Sequence, residues 1–252
     1  MFIELDGCKL HYEREGRRKK TMILLHGWGQ NTFMMDPIAK HFKDHFSVYN
    51  IDLPGFGESS EPPMPWGVEE YMLLIRHFIE EKKIENPIFV AHSFGARISL
   101  LYASKFPVYK MIITGGAGIR PKRGIDYYAR VYTYKTLKNI TKLPLLRQFS
   151  GEVQKHFGSS DYKETSGVMR ESFVKIVNLD LTEVLSRIKA EILLVWGEND
   201  EATPLWMGKK MESLIPNAGL AIFEGEGHYA YWNQMNRFLS VMDVFLEGDK
   251  VS

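Results

Sequence analysis

The sequence predicts one α/β domain: a mostly parallel central sheet with helices on both faces and a helical insertion late in the chain. Three observations carry this. Short apolar runs with β-branched members alternate with longer amphipathic runs through residues 1–117 and again through 188–252, as strands joined by crossover helices do. The central runs lack a polar face, which is how strands covered on both sides read. Glycines and polar side chains gather directly after these runs, at the carboxyl ends of the strands, where such sheets place their functional groups.

The elements follow in order. Runs at 2–5 and 9–13 flank Asp6-Gly7, a strong hairpin signal. After a polar, basic loop at 16–20, a strand at 21–25 ends in His26-Gly27-Trp28-Gly29. Residues 31–43 have helical spacing, with Phe33, Met34, Ile38 and Phe42 on one face. The strand at 46–51 ends in Asp52-Leu53-Pro54-Gly55-Phe56-Gly57-Glu58-Ser59, and a Pro/Gly-rich loop continues to Gly67. Residues 69–83 read as a helix, with Tyr71, Leu74, Ile75, Phe78 and Ile79 on one side. A strand at 88–91 leads through His92-Ser93 into a helix at 94–103, and the strand at 111–114 ends at Gly115-Gly116. The rhythm then breaks. Residues 118–187 hold no clear buried strand, and 127–140, 145–157 and 162–178 read as helical pieces, so this segment is predicted as a cap inserted into the core. The sheet resumes at 191–196, before Gly197-Glu198-Asn199-Asp200. A helix at 205–214 follows Pro204, a residue tolerated at a helix start. The last strand, 219–223, precedes Gly225-Glu226-Gly227-His228 and a final helix at 231–246, with a frayed tail from Gly248.

Bulk properties narrow the function. The chain has 252 residues, 44% hydrophobic and 25% charged, enough for a substantial core. A formal net charge of +1 points to neither nucleic acid nor a membrane surface. Cys8 is the single cysteine, which excludes an internal disulfide. The N-terminal residues are not those of a secretory signal, and no apolar run approaches the roughly 18–20 residues of a membrane span. The expectation is a soluble, cytoplasmic protein. Neither zinc-ligand spacing nor a phosphate-binding P-loop is present, so no metal or cofactor is expected.

The chemistry centres on Ser93. It lies on a sharp strand-to-helix turn, which lifts its hydroxyl clear of the sheet near the positive end of a helix. Ala91 and Gly95 supply the small neighbours that turn needs. A serine there also suits a plain helix N-cap. Two further groups distinguish the readings. Asp200 and His228 each follow a strand, and a serine becomes nucleophilic only when a base takes its proton and a carboxylate orients that base. Taken singly, Asp200 also fits a turn or helix cap, and His228 a surface loop. The backbone N–H groups of Trp28 and Phe94 are placed to hold a developing oxyanion.

With these residues the chain resembles the α/β-hydrolase superfamily over almost its whole length. The likeness rests on His26-Gly27-Trp28-Gly29, the segment from Asp52 to Ser59, Ala91-His92-Ser93-Phe94-Gly95, Trp196-Gly197-Glu198-Asn199-Asp200 and Gly227-His228. It implies Ser93 as nucleophile, His228 as base and Asp200 as its partner, in that family's chain order. Members with aspartate at the elbow are dehalogenases or epoxide hydrolases, and Ser93 argues against both. Two departures stand out: Ala91 and Ala96 replace frequent elbow glycines, and Asn233-Gln234-Met235 replaces a usual Glu-x-Pro. His26-Gly27-Trp28-Gly29-Gln30-Asn31 resembles carboxylesterases that cleave pimeloyl methyl esters, whereas Gly227-His228-Tyr229-Ala230-Tyr231-Trp232 resembles carbon–carbon hydrolases of ring-cleavage products. The latter carry a cap arginine, for which Arg170 is a match.

The expectation is therefore a serine hydrolase acting on a small-molecule acyl substrate, first of all a carboxylic ester, with carbon–carbon hydrolysis of a vinylogous diketone as the alternative. A ligand receptor or regulatory partner that keeps a slow triad is the reading outside catalysis. The cap is expected to roof a largely apolar substrate pocket formed by His26, Gly27, His92, Tyr128, Tyr132, Arg170 and Tyr229. The basic stretch 120–147 suits either an acidic carrier protein or a solvated helix face.

Overall fold

The computed structural model describes residues 1–120 and 165–250. The helices predicted at 127–140 and 145–157, together with Tyr128 and Tyr132, lie outside the described residues, as does nearly all of the basic stretch.

Eight strands form one sheet: β1 (Phe2–Leu5), β2 (Cys8–Glu15), β3 (Thr21–Leu25), β4 (Ser47–Ile51), β5 (Ile88–His92), β6 (Lys110–Thr114), β7 (Glu191–Gly197) and β8 (Ala218–Phe223). Their order is β1-β2-β4-β3-β5-β6-β7-β8. The β1–β2 and β2–β4 pairs are antiparallel, and β4, β3, β5, β6, β7 and β8 run parallel. The β1–β2 turn places Asp6 at φ +50° and Gly7 at φ +77°, the two positive angles a tight hairpin requires.

Alternate residues of each central strand serve opposite faces, because side chains switch sides at every step. Ile23, Leu25, Phe89 and Ala91 join one apolar cluster; Met22, Leu24, Ile88 and Val90 join the other. The first face is covered by α2 (Val68–Glu81), α3 (Phe94–Ala103) and α5 (Leu205–Leu214), and it also receives Ile176 of α4 (Gly167–Asn178). The second is covered by α1 (Asp36–Phe42), the short α6 (Ala230–Asn233) and α7 (Met235–Phe245). On α2 the buried set includes Tyr71, Leu74, Ile75, Phe78 and Ile79, the stripe expected from its period. Burying each such side chain stabilises by about 1.5–3 kcal/mol relative to exposure.

Three local expectations are corrected. The tail is not frayed from Gly248: Glu247–Asp249 form a 3₁₀ turn, and buried Asp249 pairs with Lys20 and Lys110 at 2.7 and 2.8 Å. Phe33 does not join the buried face of α1: residues Thr32–Met34 form a separate 3₁₀ turn, and Phe33 stands 66% exposed. Pro37, in the first turn of α1, lacks an N–H to bond to Phe33, so the helix begins at Asp36. The C-terminal helix is broken at Gln234 (φ −117°, ψ +48°) into α6 and α7. There the side-chain amides of Asn233 and Gln234 donate to Glu226 at 2.9 and 2.8 Å. Among the described residues no helix is long and apolar enough to cross a membrane.

Candidate active site

Ser93 joins the end of β5 to the start of α3 with φ +46° and ψ −100°, a conformation a non-glycine residue holds only under tertiary restraint. It occupies the N-cap position of α3 but makes no side-chain cap bond. Its hydroxyl meets His228 Nε2 at 3.0 Å instead. Gly95 allows this turn to sit against the sheet: a Cβ there would lie 2.7 Å from the Leu25 carbonyl carbon.

His228 Nδ1 lies 2.8 Å from Asp200 Oδ2. The carboxylate accepts, so Nδ1 carries the proton and Nε2 is left to receive the Ser93 proton. Burial alone would raise the Asp200 carboxyl, but the His228 ring and the Thr203 donors outweigh it and hold the carboxyl below its ordinary value. The loop bearing His228 presses on the end of β7, where a Cβ on Gly197 would collide with the carbonyls of Gly227 and Glu226. The three side chains thus form a line that can relay a proton from a hydroxyl to an imidazole and stabilise the resulting imidazolium.

The first N–H groups of an α-helix have no acceptor within the helix, and the N–H of Phe94 is the first of α3. Trp28 stands across from it after β3, in a turn closed by Gln30 N–H donating to the Gly27 carbonyl at 3.3 Å and Gly27 N–H donating to Gln30 Oε1 at 2.9 Å. The Trp28 ring packs against Phe56, Phe94 and Phe173 at centroid distances of 4.9, 5.3 and 5.1 Å. A cleft of about 290 Å³ opens on this side, lined by Trp28, Gly29, Phe56, Glu61, Ser166 and Met169 among others.

The other expected pocket residues separate into two groups. His26 and His92 are fully buried beneath the turns that carry Trp28 and Ser93. His26 Nε2 accepts from the Leu53 N–H at 2.9 Å, which directs its Nδ1 proton to the Gly27 carbonyl at 2.7 Å. His92 Nδ1 donates to the Thr114 carbonyl at 3.0 Å, and its ring lies 4.8 Å from that of His228. Burial pushes His26 down to about 4; burial, aided by the His228 charge, pushes His92 down to about 3. Both are neutral near pH 7. Tyr229 is exposed beside the His92 and His228 rings. Arg170, on α4, donates from Nε to the Thr165 carbonyl at 2.7 Å.

Asp52, at the end of β4, anchors the neighbouring loops. Its carboxylate accepts from the Thr32 and Glu58 N–H groups at 2.7 and 2.9 Å and pairs with His11 Nδ1 at 2.8 Å. Sequence reasoning missed Thr203, and it missed Glu61, Met169 and Phe173 as neighbours of the cleft. Only the spacing of three between Asp200 and Thr203 hinted at the first. Among the described residues, no three His, Cys, Asp or Glu side chains converge as metal ligands would.

Residues 22–240 match the model of the Alpha/beta hydrolase family. The chain belongs to that family. A 2-hydroxy-6-oxononadienedioate/2-hydroxy-6-oxononatrienedioate hydrolase of Paraburkholderia phymatum is 25% identical over 264 residues, covering 94% of this chain and 91% of that protein. Its Escherichia coli namesake is 24% identical over 272 residues, with the same coverage. Among solved structures, a meta-cleavage product hydrolase from Pseudomonas fluorescens superposes with a TM-score of 0.75 at 19% identity, covering 98% of this chain and 97% of its own. An esterase from Exiguobacterium antarcticum gives 0.75 at 22% identity, covering 98% of each chain. At these identities the structural matches establish the fold of an α/β hydrolase.

Proposed function

We propose that this protein is a serine-dependent hydrolase whose Ser93 attacks a ketone carbon, and that the bond it cleaves is carbon–carbon, in a 2-hydroxy-6-oxo-dienoate. The observation that carries hydrolysis is the continuous contact from Ser93 Oγ through the His228 ring to Asp200 Oδ2. The choice of bond is supported by the relatives matched along 94% of the chain.

The steps follow from this chain's own groups. Ser93 Oγ bonds to the carbonyl carbon as its proton passes to His228 Nε2. The oxyanion accepts from the Trp28 and Phe94 N–H groups, each such donor being worth about 10²–10³ in rate. Asp200 stabilises the imidazolium. The substrate must first take its 2-keto form, its 2-hydroxyl proton moving to C5; collapse then breaks the C5–C6 bond, the electron pair delocalises through the new dienolate to the C2 oxygen, and His228 returns the proton to that fragment. Water, deprotonated by His228, then frees the carboxylic acid from Ser93. Of the segment expected as the cap, the described part that reaches the site is α4: Met169 lines the cleft, Phe173 packs on Trp28, and the Trp66 N–H donates to Ser172 Oγ at 2.9 Å, which supports α4 as one wall of the cleft.

A second reading, ester hydrolysis, is favoured by one observation. Among the described residues lining the cleft, the charged one is Glu61, which repels a dicarboxylate and tolerates a neutral acyl chain. The test is a paired panel: 2-hydroxy-6-oxo-dienoates followed by loss of dienolate absorbance, and p-nitrophenyl esters of increasing acyl length. Turnover of the dienoates at least tenfold above the best ester, abolished by Ser93→Ala, is expected. Ester turnover alone overturns the carbon–carbon reading, and full activity of Ser93→Ala overturns the assignment of the nucleophile.

A further inference from the structure

We propose that Thr203 is a positioning residue for the proton relay: it grips both oxygens of the Asp200 carboxylate and so keeps Oδ2 aimed at His228 Nδ1. The inference rests on the reading of Ser93, His228 and Asp200 as the reacting set.

An aspartate carboxylate turns easily, because its terminal torsion is broad. Here one neighbouring residue holds each end of it. The Thr203 N–H donates to Oδ1 at 2.8 Å, and the Thr203 hydroxyl meets Oδ2 at 2.8 Å. Oδ1 also accepts from the Ala202 N–H at 2.9 Å. The hydroxyl has one proton and a second acceptor in reach, the Gly115 carbonyl at 3.1 Å. The ionised oxygen is nearer and binds more strongly, so the proton goes to Asp200. A lone pair of Thr203 Oγ1 then faces His228 Nδ1 at 3.3 Å, a second acceptor for the same imidazole proton.

Thr203 is itself held from behind. Its carbonyl accepts from Trp196 Nε1 at 2.6 Å, and the Trp196 ring is fully buried with Gly208 packed on its face. Pro204 follows it and limits the backbone. The side chain is buried at the meeting of the ends of β6 and β7 with the His228 loop, where it ties Gly115, Asp200 and His228 together. A hydroxyl spent only on local folding would satisfy its own backbone; this one is shared among the groups that hold the imidazole.

The test uses the full chain and a tagged ethyl fluorophosphonate. Labelling forms the Ser93 Oγ–P bond, breaks the P–F bond, releases fluoride and passes the serine proton to His228, so no natural substrate is needed. Thr203→Val, which keeps the shape and the N–H but not the hydroxyl, is expected to lower the maximal labelling rate on the order of tenfold with the half-saturating probe concentration unchanged. Thr203→Ser is expected to recover most of the rate. In an Asp200→Ala background, Thr203→Val is expected to change nothing further, because the clamp then has nothing to hold. The downfield imidazole N–H resonance of His228 is expected to broaden in Thr203→Val and to sharpen again in Thr203→Ser. A Thr203→Val protein that labels as wild type, a Thr203→Ser protein as slow as Thr203→Val, or a loss that persists undiminished without Asp200 overturns the clamp. If wild type and Ser93→Ala label alike, the reading of the reacting set falls instead, and the clamp with it.

Discussion

Gly95→Ala is the sharpest perturbation of the nucleophile turn. A Cβ on Gly95 would sit 2.7 Å from both the carbonyl carbon and the Cβ of Leu25, and closer still to the Leu25 carbonyl oxygen, whereas ordinary contact begins at 3.4 Å. Relieving the approach to the oxygen requires the end of β3 and the start of α3 to part by about 1 Å. Neither yields easily: β3 is hydrogen-bonded to β4 and β5 on its two sides, and α3 is buried along its length. Overpacking of this kind costs about 1–3 kcal/mol. The same motion stretches the 3.1 Å bond from the Gly95 N–H to the His26 carbonyl, adding about 0.5–1.5 kcal/mol. The sum, roughly 2–4 kcal/mol, lowers Tm by roughly 5–15 °C in a domain of this size. Leu25 leads directly into His26-Gly27-Trp28, so the Trp28 turn shifts relative to Ser93, and labelling of Ser93 is expected to slow well before the protein melts. The assay is thermal unfolding by circular dichroism together with labelling at 25 °C. Gly219→Ala is the control, because its new Cβ meets nothing within 4 Å, and it is expected within about 0.5 kcal/mol of wild type. A Gly95→Ala protein that melts within about 2 °C of wild type and labels at full rate refutes the reasoning.

Other perturbations test different parts of the fold. His26 and His92, held down to about 4 and about 3, bind fewer protons folded than unfolded below pH ~6.5, so stability falls as pH drops through that window. Each contributes up to about 1.4 kcal/mol per pH unit, and urea midpoints between pH 4.5 and 6.5 should show a shallower slope in His92→Phe; an unchanged slope counts against a buried neutral His92. Asp52→Ala strands the Thr32 and Glu58 N–H groups and the His11 ring, and a loss of about 3–5 kcal/mol is expected by chemical denaturation. Burial pushes the Cys8 thiol up to about 11, so a disulfide reagent at pH 8 should modify it only after unfolding. Asp200→Asn keeps the shape but removes the charge that favours the imidazolium and presents the wrong donor to Nδ1; steady-state rates should fall by about 10⁴.

Much of the architecture was legible without coordinates, because strand and helix patterns are local. All eight strands lie where apolar runs place them, and the α2 stripe was readable from its spacing alone. The family follows from short motifs at strand ends. Where a local rule failed, a neighbour decided: Pro37 set the start of α1 and turned Phe33 outward, and the Glu226 carboxylate took the amides of Asn233 and Gln234 at the break in the last helix.

The sequence by itself determined the order of the elements, the sharp turn at Ser93 and the presence of an acid and an imidazole after later strands. Whether Ser93 caps α3 or meets His228, 135 residues away, was decided only when the parallel sheet brought its strand ends together. The same holds for His26 and His92, expected at the pocket and found buried beneath the turns that carry Trp28 and Ser93, and for Thr203, whose hydroxyl gains its partners from β6, β7 and the His228 loop at once. Periodicity is a property of neighbouring residues and survives in one dimension. Hydrogen-bond partnership at a site depends on distances of about 3 Å between distant parts of the chain, which only packing sets.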